Sequence, residues 1–181
     1  MLMKKILIAL SIAVLALATV SCEKFPHEGT ATESLAGNWW CSIYASDGSQ
    51  WVPTYEAEFQ TYNTAANVPT EMWIDDATNF WGTKAKIDCD AAAMTFGKQG
   101  AEYFDLYYEV NQKIWGGKVT PDGAEAPGSK STCDKIEFFI SFSDDQPSYG
   151  TTYYVVGYRR TGFPEDDEIC IWDWANLPAV Q

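Results

Sequence analysis

Apolar and polar residues alternate with a period of two along most of the chain after Gly37. Residues 85–90 alternate apolar with charged positions, and residues 135–142 place every second large apolar side chain on one face. Turn pairs such as Asp47-Gly48 and Gly116-Gly117 interrupt these runs. This pattern predicts short antiparallel strands. They are expected near residues 38–45, 54–62, 70–75, 82–89, 92–97, 103–110, 113–120, 134–142, 151–160 and 168–173.

No stretch after Gly37 has the 3.6-residue period of a long helix. Eight to ten regularly spaced strands indicate an all-β sandwich or a closed barrel. Gly37-Asn38-Trp39 opens the first strand and resembles the Gly-x-Trp that begins lipocalin-type barrels. In those barrels the tryptophan fills the closed end under an arginine from a late strand. The fold expected is therefore an all-β, eight- to ten-stranded antiparallel lipocalin-like barrel, with Gly37, Trp39 and, by strand parity, Arg160 at its closed end.

The first 22 residues have the organisation of an export signal. Lys4 and Lys5 precede an apolar run from residue 6 to residue 20, which is shorter than the roughly 20 residues that span a bilayer. Cys22 follows a small residue, as in bacterial lipoproteins, where the thiol is acylated. Thr19 stands where leucine is usual, so an ordinary secretory signal is the alternative. We expect a signal peptide over residues 1–21 and a cell-envelope lipoprotein anchored to the outer membrane, on either its periplasmic or its surface side.

A polar segment separates this signal from the predicted barrel. Residues 22–36 bury little apolar surface and predict a flexible tether from an acylated Cys22, followed by the barrel domain over residues 37–181. His27 is the single histidine of the chain and lies in this tether, where no neighbour would orient it as a general base. We therefore assign it no catalytic role.

Charge and cysteine content narrow the classes of partner. The formal net charge is −13, and loss of the two signal lysines makes it two units more negative, so nucleic acid is not an expected partner. The chain has no CxxC pair, which argues against a zinc site, and no metal or other cofactor is expected. Four cysteines remain after Cys22, and they allow three disulfide pairings among which the sequence does not choose: Cys41, Cys89, Cys133 and Cys170.

Four segments carry a resemblance to a known family. Residues 79–90 (NFWGTKAKIDCD), 93–97 (AMTFG), 116–145 and 153–167 (YYVVGYRRTGFPEDD) resemble the lipid-binding putative hydrolase family, small lipoproteins of Bacteroidetes with a lipocalin-like (calycin) barrel. The similarity spans roughly residues 37–170, and residues 157–163 are its most specific part. It implies a lipid-binding barrel in the envelope, and it supplies no catalytic residues.

The sequence gives little support to the word hydrolase. A Gly-x-Ser-x-Gly motif is absent from the sequence, and no histidine follows His27. Asp105 and Glu109 are the best carboxylate pair for glycoside hydrolysis. Acidic residues that alternate along a strand are more often its solvated face. We therefore favour binding over catalysis.

The chain holds 8 Trp, 10 Tyr and 9 Phe residues. An eight-stranded barrel either fills its interior with side chains or holds one small ligand, and we favour an apolar ligand such as a fatty acid. The alternative is a surface lipoprotein that binds glycans through exposed Trp40, Trp51, Trp73, Trp81 and Trp115, or binds a protein through its rim loops. The expected ligand-binding residues are Phe104, Leu106, Tyr108, Ile136, Phe138, Ile140, Tyr154, Val156 and Tyr158.

Overall fold

The computed structural model describes residues 29–167 and 171–180. The expectations for the signal peptide, Cys22, His27 and Cys170 lie outside the described residues. Within them no helix is long and apolar enough to cross a membrane. After a 3₁₀ turn at Glu33–Leu35 come nine strands: β1 (Gly37–Ser46), β2 (Val52–Asn63), β3 (Glu71–Asp75), β4 (Lys84–Asp90), β5 (Thr95–Phe96), β6 (Tyr103–Phe104), β7 (Asn111–Glu125), β8 (Thr132–Phe142) and β9 (Thr152–Arg159).

The strands form a closed antiparallel barrel. Their order is β5-β4-β3-β2-β1-β9-β8-β7, and pairing of β5 with β7 joins the two edges of the sheet. β6 is a ninth, short strand that pairs only with the beginning of β7 in this arrangement. The prediction of an all-β barrel is confirmed. The contact that closes the barrel is short, with Thr95 opposite Lys118 and Phe96 opposite Gly117.

One predicted strand is shorter than expected, and the described part of another is not a strand. Residues 105–110 do not continue β6, because the Asp105 carboxylate accepts hydrogen bonds from the backbone N–H groups of Tyr107 and Tyr108 and Glu109 has a positive φ of 57°. The chain therefore turns back into β7. Residues 171–173, the described part of the last predicted strand, have no strand structure. They lie across the outside of the barrel instead.

The barrel interior is occupied by side chains that pack against one another. Phe138 lies at its centre, with its ring 5.4 Å from that of Phe59 and 5.6 Å from that of Phe96. Leu35, from the 3₁₀ turn, closes one end of this cluster. The inner face of the strands contributes Trp39, Cys41, Ile43, Ala57, Phe59, Met72, Ile74, Ala85, Ile87, Ile114, Val119, Ile136, Phe138, Ile140, Tyr153 and Val155.

The outer face of β9 is also buried, and the parity expected for this strand is wrong. Tyr153 and Val155 belong to the interior cluster, whereas Tyr154 and Val156 lie outside the barrel beneath Trp51 and other aromatic side chains. Tyr158 belongs to a third cluster, and its hydroxyl donates to the Asp166 carbonyl at 2.7 Å. Because both faces of β9 are covered, its sequence is continuously apolar and its alternation cannot be followed.

The C-terminal segment forms much of that outer cover. The Ser42 hydroxyl donates to the Ile171 carbonyl at 2.6 Å, and the Tyr44 hydroxyl donates to the Trp172 carbonyl. The Trp51 indole N–H donates to the Pro178 carbonyl at 2.8 Å. These bonds hold residues 171–178 on β1 and its neighbours.

Trp39 fills the closed end, and its cation partner is Arg159 rather than Arg160. The Arg159 guanidinium carbon lies 4.6 Å from the indole centroid, and the indole N–H donates to Thr61 Oγ1 at 2.8 Å. Trp39 and Arg159 are direct partners in the β1–β9 register, so they share the inner face. A Cβ on Gly37 would collide with the same guanidinium.

Arg160 points to the outer face. It bonds Glu58 at 3.2 Å and Asp167 at 2.8 Å. The expectation that Arg160 covers Trp39 is therefore wrong by one position, because the inner face of β9 carries the odd-numbered residues.

Asp166 joins the closed end to the β7–β8 turn. Its carboxylate accepts from the backbone N–H groups of Gly128 and Ser129 and from the hydroxyls of Ser129 and Thr161, at 2.6–2.9 Å. Burial acts to raise the pKa of Asp166, but the hydrogen bonds from Ser129 and Thr161 outweigh it and hold the pKa at about 2. The carboxylate is thus ionised and locks the segment after β9 in place.

A candidate ligand site at the open end of the barrel

The end of the barrel opposite Trp39 is covered by the loop between β3 and β4. We name residues 76–83 the lid loop. Its Phe80 ring lies 5.2 Å from Tyr153 on β9 and 6.0 Å from Phe142 on β8, both of which face the interior. On the other side it lies 5.8 Å from Tyr55 on β2. Phe80 therefore reaches across the mouth of the barrel from one wall to another.

Trp81 completes the aromatic closure. Its ring stacks on Phe142 with 4.5 Å between centroids and 6° between planes, and its indole N–H donates to Asp144 at 3.1 Å. Stacked aromatic pairs of this kind are worth about 0.5–1.5 kcal/mol beyond the area they bury. The interior is thus separated from solvent at this end by side chains of a loop.

One buried carboxylate organises the lid loop. Asp76 Oδ2 accepts from the backbone N–H groups of Phe80, Trp81 and Gly82 at 2.9–3.2 Å, and Oδ1 accepts from that of Thr78 at 2.8 Å. Asp76 has no exposed surface. Burial raises the pKa of Asp76 above its ordinary value, while these N–H groups act in the opposite direction. Four of the backbone N–H groups of the lid loop are therefore bonded by this one side chain.

A polar network joins the two residues that flank the lid loop, Asp75 and Lys84, to the β6–β7 hairpin. Asp75 accepts from Lys84 Nζ at 2.7 Å, and the hydroxyls of Tyr62 and Tyr107 donate to it at 3.0 Å and 3.1 Å. Burial acts to raise the pKa of Asp75, but the Lys84 ammonium and further hydrogen bonds leave it lowered. Asp105 accepts from the Lys84 backbone N–H at 2.6 Å. These bonds link the end of β3 and the beginning of β4 to the β6–β7 hairpin beside the mouth.

A groove of about 330 Å³ lies on the outer side of the lid loop. It is lined by Thr78, Phe80, Trp81, Gly82, Tyr108 and Asp144. The ring of Tyr108 occupies the space that a Cβ on Gly82 would take. The groove therefore places exposed aromatic surface directly beside the closure.

The interior face of the mouth carries a buried amide side chain, that of Gln112. It lies at the start of β7, is 0% exposed, and pairs in register with Phe142 and with Tyr103. Its Oε1 accepts from the hydroxyl of Thr83, the last residue of the lid loop, at 3.1 Å. A buried amide thus links the barrel wall to the lid.

The predicted ligand-binding residues fall into three places. Ile136, Phe138 and Ile140 lie in the interior. Tyr154, Val156 and Tyr158 are buried on the outside of the barrel. The expectation that Phe104, Leu106 and Tyr108 face the interior is wrong, since they are 54%, 51% and 62% exposed on the β6–β7 hairpin.

Phe80, Trp81, Gln112 and Tyr153 were not among the predicted ligand-binding residues. One sequence signal for the lid was present. Phe80-Trp81 is a large aromatic pair directly after a run of Asp, Thr and Asn, where turns are usually polar.

The five tryptophans considered for glycan stacking do not form an exposed row. All five are partly buried: Trp40, Trp51, Trp73, Trp81 and Trp115. Trp51 and Trp115 stack on Phe139 with centroid distances of 6.1 Å and 5.6 Å. The rings of Trp51 and Trp115 therefore cover the outer face of the sheet.

The groups considered for chemistry serve structural roles in the described residues. Both oxygens of Asp105 accept backbone N–H groups, and Glu109 lies in a turn rather than on the same strand face. Burial raises the pKa of the Cys89 and Cys133 thiols to about 11, which keeps them protonated. In residues 29–167 and 171–180 no group of three or more His, Cys, Asp or Glu side chains is placed to hold a metal ion.

Comparison with known proteins assigns the chain to a family. The family model described as "Lipid-binding putative hydrolase" matches residues 25–164, which contain all nine strands and the lid loop. No curated protein matches the sequence. Since the family model covers well over half of the chain, the protein belongs to the lipid-binding putative hydrolase family.

Proposed function

We propose that the protein is a cell-envelope lipoprotein that binds a small apolar, lipid-like molecule in its barrel without converting it. The observation that carries the proposal is the closure of the barrel mouth by Phe80 and Trp81, which belong to a loop. A loop can move aside while the hydrogen-bonded strands stay paired. The lipid-binding description of the family supports the class of ligand.

The ligand is expected to take the place of the two lid rings against the inner walls. Phe142, Tyr153 and Tyr55 would then contact an acyl chain instead of Phe80. Burial of about 300 Å² of apolar surface contributes roughly 7 kcal/mol before the costs of ordering the ligand and opening the lid. Those costs place the affinity at micromolar or weaker. Such affinity suits a carrier or a sensor.

The attachment to the membrane is proposed from the sequence. An acylated Cys22 would anchor the protein to the outer membrane, on either its periplasmic or its surface side. The chain enters the barrel at the closed end, where Leu35 is buried, so the anchor would join the end opposite the lid loop. The lid would then be free to exchange ligand away from the anchor point.

Titration of the protein comprising residues 22–181, with Cys22 changed to Ser, with a fluorescent apolar probe tests binding directly. Diphenylhexatriene is a suitable probe, since its fluorescence rises in an apolar site and it carries no polar group. Saturable binding at one site, competed by unlabelled long-chain lipids and accompanied by a change in Trp81 emission, is expected. Trp81→Phe is the control that assigns the emission change to the lid. Absence of saturable binding, with oligosaccharides quenching tryptophan emission instead, would favour the glycan alternative.

A further inference from the structure

Gln112 is a buried amide on an inner surface that is mostly aliphatic and aromatic. Two positions further along β7, Ile114 is fully buried in the interior cluster, so Gln112 shares that face. Its cross-strand partner Phe142 is the residue on which Trp81 stacks. Gln112 therefore lies directly beneath the aromatic closure.

The hydrogen bonds of this amide are incomplete. A glutamine side chain offers two N–H donors and one carbonyl acceptor. Oε1 is bonded to Thr83, but Nε2 is fully buried and has no hydrogen-bond partner in the described part of the chain. Thr32 Oγ1 and Trp40 Nε1 are likewise buried without a partner in the described residues. Gln112 is the one of the three whose neighbours, Phe142 and Thr83, form the mouth of the barrel. A buried donor without a partner is destabilising, and such groups mark positions where a ligand or water completes the bonding.

We propose that Gln112 Nε2 binds an oxygen atom of the ligand, and that the ligand is an uncharged lipid with an acyl carbonyl, such as an ester. This inference rests on the proposed function. The carbonyl oxygen would lie at the mouth, beneath Thr83 and the lid loop. The acyl chain would occupy the space of the Phe80 and Trp81 rings against the apolar walls.

The local charges favour a neutral head group over an ionised fatty acid. Carboxylates surround the mouth: Asp76 lies in the lid loop, Asp105 in the β6–β7 hairpin, and Asp144 bonds the Trp81 indole on the rim. Lys84 is held by Asp75, and Lys113 lies over the ring of Tyr149 at 3.9 Å. A buried carboxylate would therefore meet a neutral amide and like charges, which is costly.

The test uses Gln112→Met, which keeps the length of the side chain and removes the donor. Competition against diphenylhexatriene is measured for methyl palmitate and for hexadecane. The variant should bind methyl palmitate about tenfold more weakly, as expected for one lost hydrogen bond, and should bind hexadecane and the probe as the wild type does. Gln99→Met, on an exposed loop, is the matched control and should change neither affinity.

Each other outcome is decisive. Unchanged affinity for the ester in Gln112→Met overturns the assignment of Nε2, while binding of the probe upholds the proposed function. Tighter binding of palmitate than of its methyl ester at pH 7 overturns the neutral head group. Failure of the wild type to bind the probe overturns both proposals. If Gln112→Met does not fold, the side-chain amide resonance of Gln112 in the wild type decides, since it should shift with methyl palmitate and not with hexadecane.

Discussion

Asp76→Asn should open the lid loop without disturbing the barrel. The substitution keeps Oδ1, which accepts the N–H of Thr78, and replaces Oδ2 by an amide group. That amide would point a donor at the N–H groups of Phe80, Trp81 and Gly82. In the wild type these three groups share Oδ2 as their acceptor. In this orientation three hydrogen bonds of the closed lid are lost, and with the amide turned round the Thr78 bond is lost instead; the strands on either side keep their pairing.

The size of the effect follows from the number of bonds. A hydrogen bond contributes about 1 kcal/mol net, so loss of three weakens the closed lid by about 3 kcal/mol. The neutral amide also avoids the burial cost that raises the pKa of Asp76, which makes this figure an upper value. A change of 3 kcal/mol raises the ratio of open to closed lid more than 100-fold. If opening limits entry, association with ligand should accelerate by up to the same factor.

Two measurements on the folded protein check this prediction. Hydrogen exchange of the amides of residues 80–82 should accelerate, and stopped-flow binding of diphenylhexatriene should become faster. Asp47→Asn is the matched control, because Asp47 also accepts a loop N–H at the open end, from Ser49, but is exposed. Exchange and association rates equal to those of the wild type would refute the conclusion that Asp76 stabilises the closed conformation of the lid loop.

Three further outcomes are expected at other positions. Trp39→Ala should lower the free energy of unfolding by about 3–5 kcal/mol in urea denaturation, and a loss below 1 kcal/mol would contradict its role in the closed end. The pKa of Asp166 is lowered from 3.8 to about 2, so its stabilising contribution is present above pH 4 and disappears as the pH falls towards 2; Asp166→Asn should flatten that part of the stability profile. Cys22→Ala should leave the protein unprocessed or soluble in cell fractionation, and recovery of the mature form in membranes would contradict acylation.

The barrel could be predicted from the sequence because most of its strands have one buried and one exposed face. In β4, apolar Ala85 and Ile87 alternate with the exposed Lys86 and Asp88, and the inner face follows from the pattern. In β9 the outer face is covered by tryptophans and the C-terminal segment. Consequently Tyr153 and Tyr154 are both buried, and the sequence does not show which one faces inward.

The errors at the candidate site have local causes. Residues 103–110 look like an alternating strand, yet the Asp105 carboxylate stops it by bonding two N–H groups along the chain. Gln112 was missed because a lone polar residue at the end of a strand normally faces solvent. Its burial depends on the lid loop, which is contributed by a segment about 30 residues earlier in the chain.

The two ends of the barrel differ in a way that separates stability from function. At the closed end, the Trp39 indole N–H is bonded to Thr61 and its ring is covered by Arg159. At the open end, Asp76 bonds the backbone of Phe80 and Trp81, whose rings lie above Gln112 Nε2, an atom without a partner in the described residues. Stability alone would favour an apolar residue at that position. A ligand that enters beneath the lid and completes the bonding of Gln112 accounts for the rings and the amide together.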